Sequence, residues 1–237
     1  MKLSGDDKSS GSWILIAPFS LLFVVFVKWW WPNAIPFEVF QFWKNNKILE
    51  GIIASWPIFL WGGGLTALYS VLNYNSRETN RNAEDILING AVLSALAGVF
   101  EEMAFRWIFF LAGIVGVKVS NFLFFGWLGF GLGEWLHLNL FGPIVNFLTL
   151  EKMEWLIFGM GWAVGAAALG ANAKFRKEHA YLGLFGYFNS WIIGFFLFWM
   201  MFNYGLLTAI IVHFLYDMLI FTVRYIDAAV ERALGRG

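Results

Sequence analysis

The sequence predicts an all-α, polytopic transmembrane helix bundle of about seven spans, with room for an interfacial helix. Three observations predict it. Of 237 residues, 59% are hydrophobic and 14% charged, against about 45–50% and about 25% in soluble domains. Aromatics reach 20%, with 27 Phe and 14 Trp, too little polar side chain to coat a soluble globule of this size. The apolar residues also fall into runs near the roughly 20-residue length that crosses a bilayer as a helix.

The segments follow in order. The first, 13–31, ends in Trp29-Trp30-Trp31 and is stopped by Pro32, with Lys28 placed to snorkel. It lacks a small-x-small cleavage site and reads as a signal-anchor, not a signal peptide. Its Trp cluster suits a membrane interface. Residues 33–50 carry Phe37, Val39, Phe40, Phe42 and Trp43, a pattern suited to a short surface helix. The second segment, 51–72, holds Pro57 and Gly62-Gly63-Gly64, so a kink is expected. The third, 86–115, is longer than one span needs. The remaining segments are 119–138, 154–173, 181–201 and 205–225. The fifth, 154–173, is rich in Gly and Ala, and Gly161 and Gly165 form a GxxxG that predicts close helix packing. The chain divides into two N-terminal membrane helices with the interfacial segment (1–85), a polar-residue-bearing core (86–225) and a polar tail (226–237). It reads as an integral, multi-pass protein of a bacterial or organellar inner or plasma membrane.

Sixteen basic and sixteen acidic residues balance, which removes an electrostatic footprint for nucleic acid. With no cysteine, disulfides, thiolate zinc sites and a cysteine nucleophile are excluded. Function must therefore lie in the few polar residues inside apolar segments. The third segment carries Glu101, Glu102 and Arg106, each costing about 2.5–3.5 kcal/mol at the centre of a span. Glu102 and Arg106 are i,i+4 and can meet on one helix face. Glu101 is turned about 100° away. A structural ion pair explains Glu102 and Arg106 but leaves Glu101 as a second acid. His137 closes the fourth segment. His213 and Asp217, also i,i+4, share a face of the seventh. His179, in a charged loop, reads as solvated.

Several chemistries are open to these residues. A carboxylate and an imidazole can hold a water between them and draw off its proton, while a second His beside Asp217 stabilises an oxyanion. Alternatively, Glu134-x-x-His137 has the i,i+3 spacing of bundle carboxylate–metal sites. Only one such step is present, and HExxH is absent. A serine centre is unsupported, since Ser94, Ser120 and Ser190 lack a Gly-x-Ser-x-Gly context. A proton-relaying transporter is a further reading, weakened by the absence of an evident inverted repeat.

The set resembles the CAAX protease and bacteriocin-processing family, which includes the Ras-converting prenyl endopeptidases. Its marks are Glu-Glu-x-x-x-Arg, Phe-x-x-x-His and His-x-x-x-Asn/Asp on separate membrane helices. Glu101-Glu102-x-x-x-Arg106 and His213-x-x-x-Asp217 are complete, and the run from Tyr204 to His213 is similar to the family's lead-in. The second motif departs: Gly133 stands where Phe is expected four residues before His137, and Phe130, about one turn earlier, is placed to fill that space. The resemblance covers 86–225 and implies a glutamate-dependent intramembrane endopeptidase. Glu101 and His137 would activate water, and His213 and Asp217 would stabilise the oxyanion. Glu102 and Arg106 would organise the site. It implies no metal and no cofactor, and as partners the bilayer and a membrane-anchored peptide or protein substrate. The alternative is a non-catalytic membrane protein, for binding, immunity or complex assembly, that retains the polar cluster.

Overall fold

The computed structural model describes residues 12–44, 47–72 and 83–233, and among them there is helix and no strand. The α-helices in chain order are α1 (Ser12–Trp30), α2 (Gln41–Lys44), α3 (Ile48–Ala54), α4 (Trp56–Leu72), α5 (Ala83–Glu101), α6 (Phe109–Leu123), α7 (Leu132–Leu136), α8 (Gly142–Leu148), α9 (Trp162–Glu178), α10 (Gly183–Tyr204) and α11 (Leu206–Ala233). Three π-helical segments interrupt them: Glu102–Ile108 between α5 and α6, His137–Phe141 between α7 and α8, and Trp155–Gly159 before α9.

The all-helical class stands, but the count of seven spans is not supported. Among the described residues, two helices are long and apolar enough to cross a membrane, Leu87–Leu123 and Leu206–Val230. A third arises if α3 and α4, bent by 49°, form one span. Hydropathy alone does not register chain breaks. The expected helix 119–138 ends at Leu123, and Phe125 and Gly129 then take left-handed φ of 69° and 81°. The expected helix 154–173 breaks at Gly161, whose φ of 92° puts it outside α9. In the second segment the bend lies at Ser55, two residues before Pro57, whose ring clashes with the carbonyl four residues back. The polar connection expected at 73–85 lies outside the described residues up to 82, and its last three residues, Ala83–Asp85, open α5.

Packing groups the chain into two compact units, each of two separated stretches. The first comprises Met1–Lys44 and Met103–Trp199. Its centre is α6 against α9, where Gly113 lies so close to Ala167 that an added Cβ would sit 3.3 Å from the alanine's own. Phe110, Leu111 and Ile114 of α6 and Ala163, Ala168 and Phe175 of α9 are buried there. The small residues thus do bring elements together, through Ala167 and through Gly165 of the GxxxG, whose Cβ would strike the Ile157 carbonyl, while Gly161 has open space around it. The stretch expected as a surface helix forms a 3-10 turn, Pro32–Ala34, and the four-residue α2. It is folded inward: Phe37 and Phe42 lie 6.0 and 6.4 Å from the Phe110 ring. The Trp107 indole N–H donates to the Val39 carbonyl, and Lys118 Nζ donates to the Ala34 carbonyl at 2.7 Å.

The second unit comprises Asn45–Glu102 and Met200–Gly237. Here α11 packs along α3, α4 and α5. Small residues permit the approach. A Cβ on Gly98 of α5 would stand 3.0 Å from the Ile210 carbonyl oxygen, and one on Gly62 of α4 would strike the Tyr216 ring. This seam carries α5's last residue, Glu101, and the following Glu102 alongside α11.

Candidate functional site

In the second unit the polar residues form one cluster. Glu102 is fully buried, and its Oε1 lies 2.8 Å from Nδ1 of His213, itself 3% exposed. An ionised carboxylate only accepts, so Nδ1–H is the donor. One turn along α11, Asp217 sets Oδ2 3.7 Å from Nε2 of the same ring, within electrostatic reach but beyond hydrogen-bond length. The His213–Asp217 face expected from their i,i+4 spacing is thus present. Glu101 is half-buried and directly precedes Glu102 in the chain. One imidazole therefore stands between two carboxylates, those of Glu102 and Asp217, in surroundings where burial strengthens charge–charge interaction.

This cluster gives Glu102 a partner on α11, His213, which lies 111 residues away in the chain. Glu102 opens a π-helical segment with its wider i→i+5 ring. Such segments recur at functional sites. Here, two of the three contain expected site residues: Glu102 and Arg106 in one, His137 in another.

In the first unit, Arg106 is fully buried, and its guanidinium carbon sits 3.8 Å above the Phe175 ring centroid, with Phe198 at 5.9 Å. A desolvated cation over an aromatic face gains about 2 kcal/mol or more. His137 is 2% exposed. Its Nε2 lies 2.9 Å from the Ile157 carbonyl oxygen. Ile157 belongs to the π segment that stops before Gly161, and carbonyls in the last turn of a helix lack intrahelical partners. A carbonyl can only accept, so the proton of this bond is on Nε2 and the ring's basic nitrogen is Nδ1. Gly165 closes the arrangement: a Cβ there would be 2.0 Å from Ile157 O and 2.8 Å from His137 Nε2. Ile157, Gly165 and Phe175 carry no signal in the sequence as site residues. Ile157 acts through its backbone carbonyl, which any residue type supplies, Gly165 through the absence of a side chain, and Phe175 is one of many aromatics.

Two further expectations are corrected. Phe130 is 54% exposed and does not fill the space beside Gly133. Asn121 stands there instead, its Oδ1 3.2 Å from where a Gly133 Cβ would be. That oxygen also accepts the Glu134 backbone N–H at 2.8 Å. His179, read as solvated, is half-buried, and its Nδ1 bonds the Phe175 carbonyl at 2.8 Å at the end of α9. Among the described residues, no three His, Asp or Glu side chains gather so that they could hold a metal ion. The structure thus brings Glu101, Glu102, His213 and Asp217 together in one unit, while Arg106 and His137 belong to the other, each with its own partners.

No protein-family model, no curated protein and no solved structure matches the chain.

Proposed function

We propose that the chain is an integral, multi-pass intramembrane endopeptidase of the CAAX-protease type, hydrolysing a peptide bond in a membrane-anchored peptide or protein. The observation that carries the reading is the buried Glu102–His213 bond with Asp217 beside the same ring and Glu101 next to Glu102 in the chain. A structural ion pair needs one acid and one base. Two carboxylates on one imidazole, with a third acid adjacent in the chain and in helices apolar enough to span, exceed that need, and intramembrane acids are functional candidates by default.

In the proposed reaction, Glu101 and Nδ1 of His137 take the proton of a water as its oxygen attacks the peptide carbonyl carbon. The tetrahedral oxyanion accepts a hydrogen bond from Nε2–H of His213. Glu102 holds that ring through Nδ1, and Asp217 balances its charge. The C–N bond then breaks, and the departing amine takes the proton first removed from water. Arg106, seated on the Phe175 ring, is a positioning residue. The difference in burial supports the division of labour: Glu102 is fully enclosed, whereas Glu101 is half-buried.

One observation favours the second reading, a non-catalytic binding, immunity or assembly protein: Asn121, a polar side chain, stands beside Gly133, where the resemblance wants Phe. A proximity experiment separates the two. The chain has no cysteine, so the double variant Glu101→Cys/His137→Cys can be probed cleanly in membranes. Bridging by mercury or a short bismaleimide is expected, because one water must touch both groups. Failure to bridge, with both thiols reactive to monofunctional reagents, removes the shared-water mechanism.

A further inference from the structure

We propose that a cavity of about 420 Å³ at the end of α1 binds the phosphodiester headgroup of an anionic phospholipid, with Lys44 as the phosphate-contacting cation. The cavity lies wholly in the first unit, and its lining is amphiphilic. Val25, Trp29 and Phe40 supply apolar surface, and Lys28, Glu38 and Lys44 supply charge.

The charges are not equivalent. Lys28 Nζ donates to the Pro32 and Ile35 carbonyls, each at 3.1 Å, and stands 3.5 Å from Glu38. An ammonium has three donors, so Lys28 is fully committed to holding the turn that follows α1, and Glu38 offsets its charge. Lys44 is exposed and makes no hydrogen bond or ion pair among the described residues. The cavity therefore carries a net positive charge located on a side chain available to a ligand, which favours an anion.

The surroundings select the kind of anion. Trp29 and Trp30 are about three-quarters exposed, and Phe19, Phe23 and Phe26 of the same helix are also exposed. An apolar helix surface ending in indoles marks the boundary between acyl chains and headgroups. A ligand that meets both this surface and Lys44 needs an apolar tail joined to a phosphate, which a phospholipid supplies and free phosphate does not. One basic residue at an anionic surface is worth about fivefold in affinity.

The test uses the full chain in neutral detergent, titrated with phosphatidylglycerol, phosphatidylcholine or inorganic phosphate, and read by native mass spectrometry and thermal stability. Phosphatidylglycerol should bind in preference to phosphatidylcholine, and inorganic phosphate should not compete. Lys44→Ala should lower phosphatidylglycerol affinity about fivefold and Lys44→Glu about 25-fold, with the melting temperature of the lipid-free protein unchanged, since Lys44 is exposed. Trp29→Ala should weaken both lipids alike. Equal binding of the two lipids, or Lys44→Glu variants that keep the preference, would overturn the proposal. Protection by inorganic phosphate equal to that by phosphatidylglycerol would overturn the lipid assignment in favour of a free-phosphate site.

Discussion

Replacing Gly165 by Ala probes the seat of His137 with a single methyl group. The added Cβ would lie 2.0 Å from the Ile157 carbonyl oxygen and 2.8 Å from His137 Nε2. The oxygen must retreat by about 1 Å to reach even a tight contact near 3.0 Å, and it is backbone, so no rotamer change relieves it. Forcing extra volume into a packed site costs about 1–3 kcal/mol. Losing the 2.9 Å bond between ring and carbonyl leaves two buried groups unsatisfied, a further 1–3 kcal/mol or so. The sum of about 2–6 kcal/mol lowers the melting temperature by about 4–24 °C at roughly 2–4 °C per kcal/mol for a chain of this size. Gly170, five residues on in α9, is the control: nothing lies within 4 Å of its Cβ position, and Ala there should be neutral or stabilising by about 0.5–1 kcal/mol. The assay is Trp-fluorescence melting in detergent, with ¹⁵N spectra of the imidazole. Wild type should show the proton on Nε2, and Gly165→Ala should lose that signature. If Gly165→Ala melts with the wild type and keeps the tautomer, the His137–Ile157–Gly165 geometry is wrong.

Substitutions at three other positions follow from the clusters. Glu102→Ala strands a buried, proton-bearing Nδ1, and breaking a buried pair costs about 3–5 kcal/mol. Glu102→Gln keeps an acceptor and should recover part of the loss; equal melting of Glu102→Ala and wild type would show that the His213 bond contributes nothing. Arg106→Lys exchanges the planar group on Phe175 for a compact ammonium and should lower stability by about 1–2 kcal/mol, measured by the same melting curve, while an unchanged midpoint would discount the stacking. Asp217→Asn, at a side chain 25% exposed, should leave the melting temperature within a few degrees, so a collapse would mark Asp217 as structural.

The helical class was legible because composition and run length report burial in lipid without reference to topology. The number of spans was not, since a glycine at φ 92° such as Gly161 looks the same to a hydropathy window as one inside a helix. His213 with Asp217 was readable because α11 is regular there and i,i+4 residues share a face. The Glu102–His213 bond was hidden because it joins residues 111 apart in the chain, and spacing within a segment reports only neighbours on that segment. The seat of His137 was hidden because its partner is a main-chain carbonyl, and Phe175 because one aromatic among 27 Phe has no distinguishing context.

The central claim is that Glu101 activates water for peptide hydrolysis, and cleavage in reconstituted vesicles tests it most directly. Wild type and Glu101→Gln would each be co-reconstituted with a library of single-span peptides, with new N-termini labelled and read by mass spectrometry, beside a melting curve for each protein. Gln keeps the size of Glu and removes the base, and the half-buried position of residue 101 predicts a melting temperature within a few degrees of wild type. The account predicts new N-termini with the wild type and at least a hundredfold fewer with Glu101→Gln, the lower range of a general base's contribution. Cleavage by a folded Glu101→Gln at the wild-type rate would contradict it.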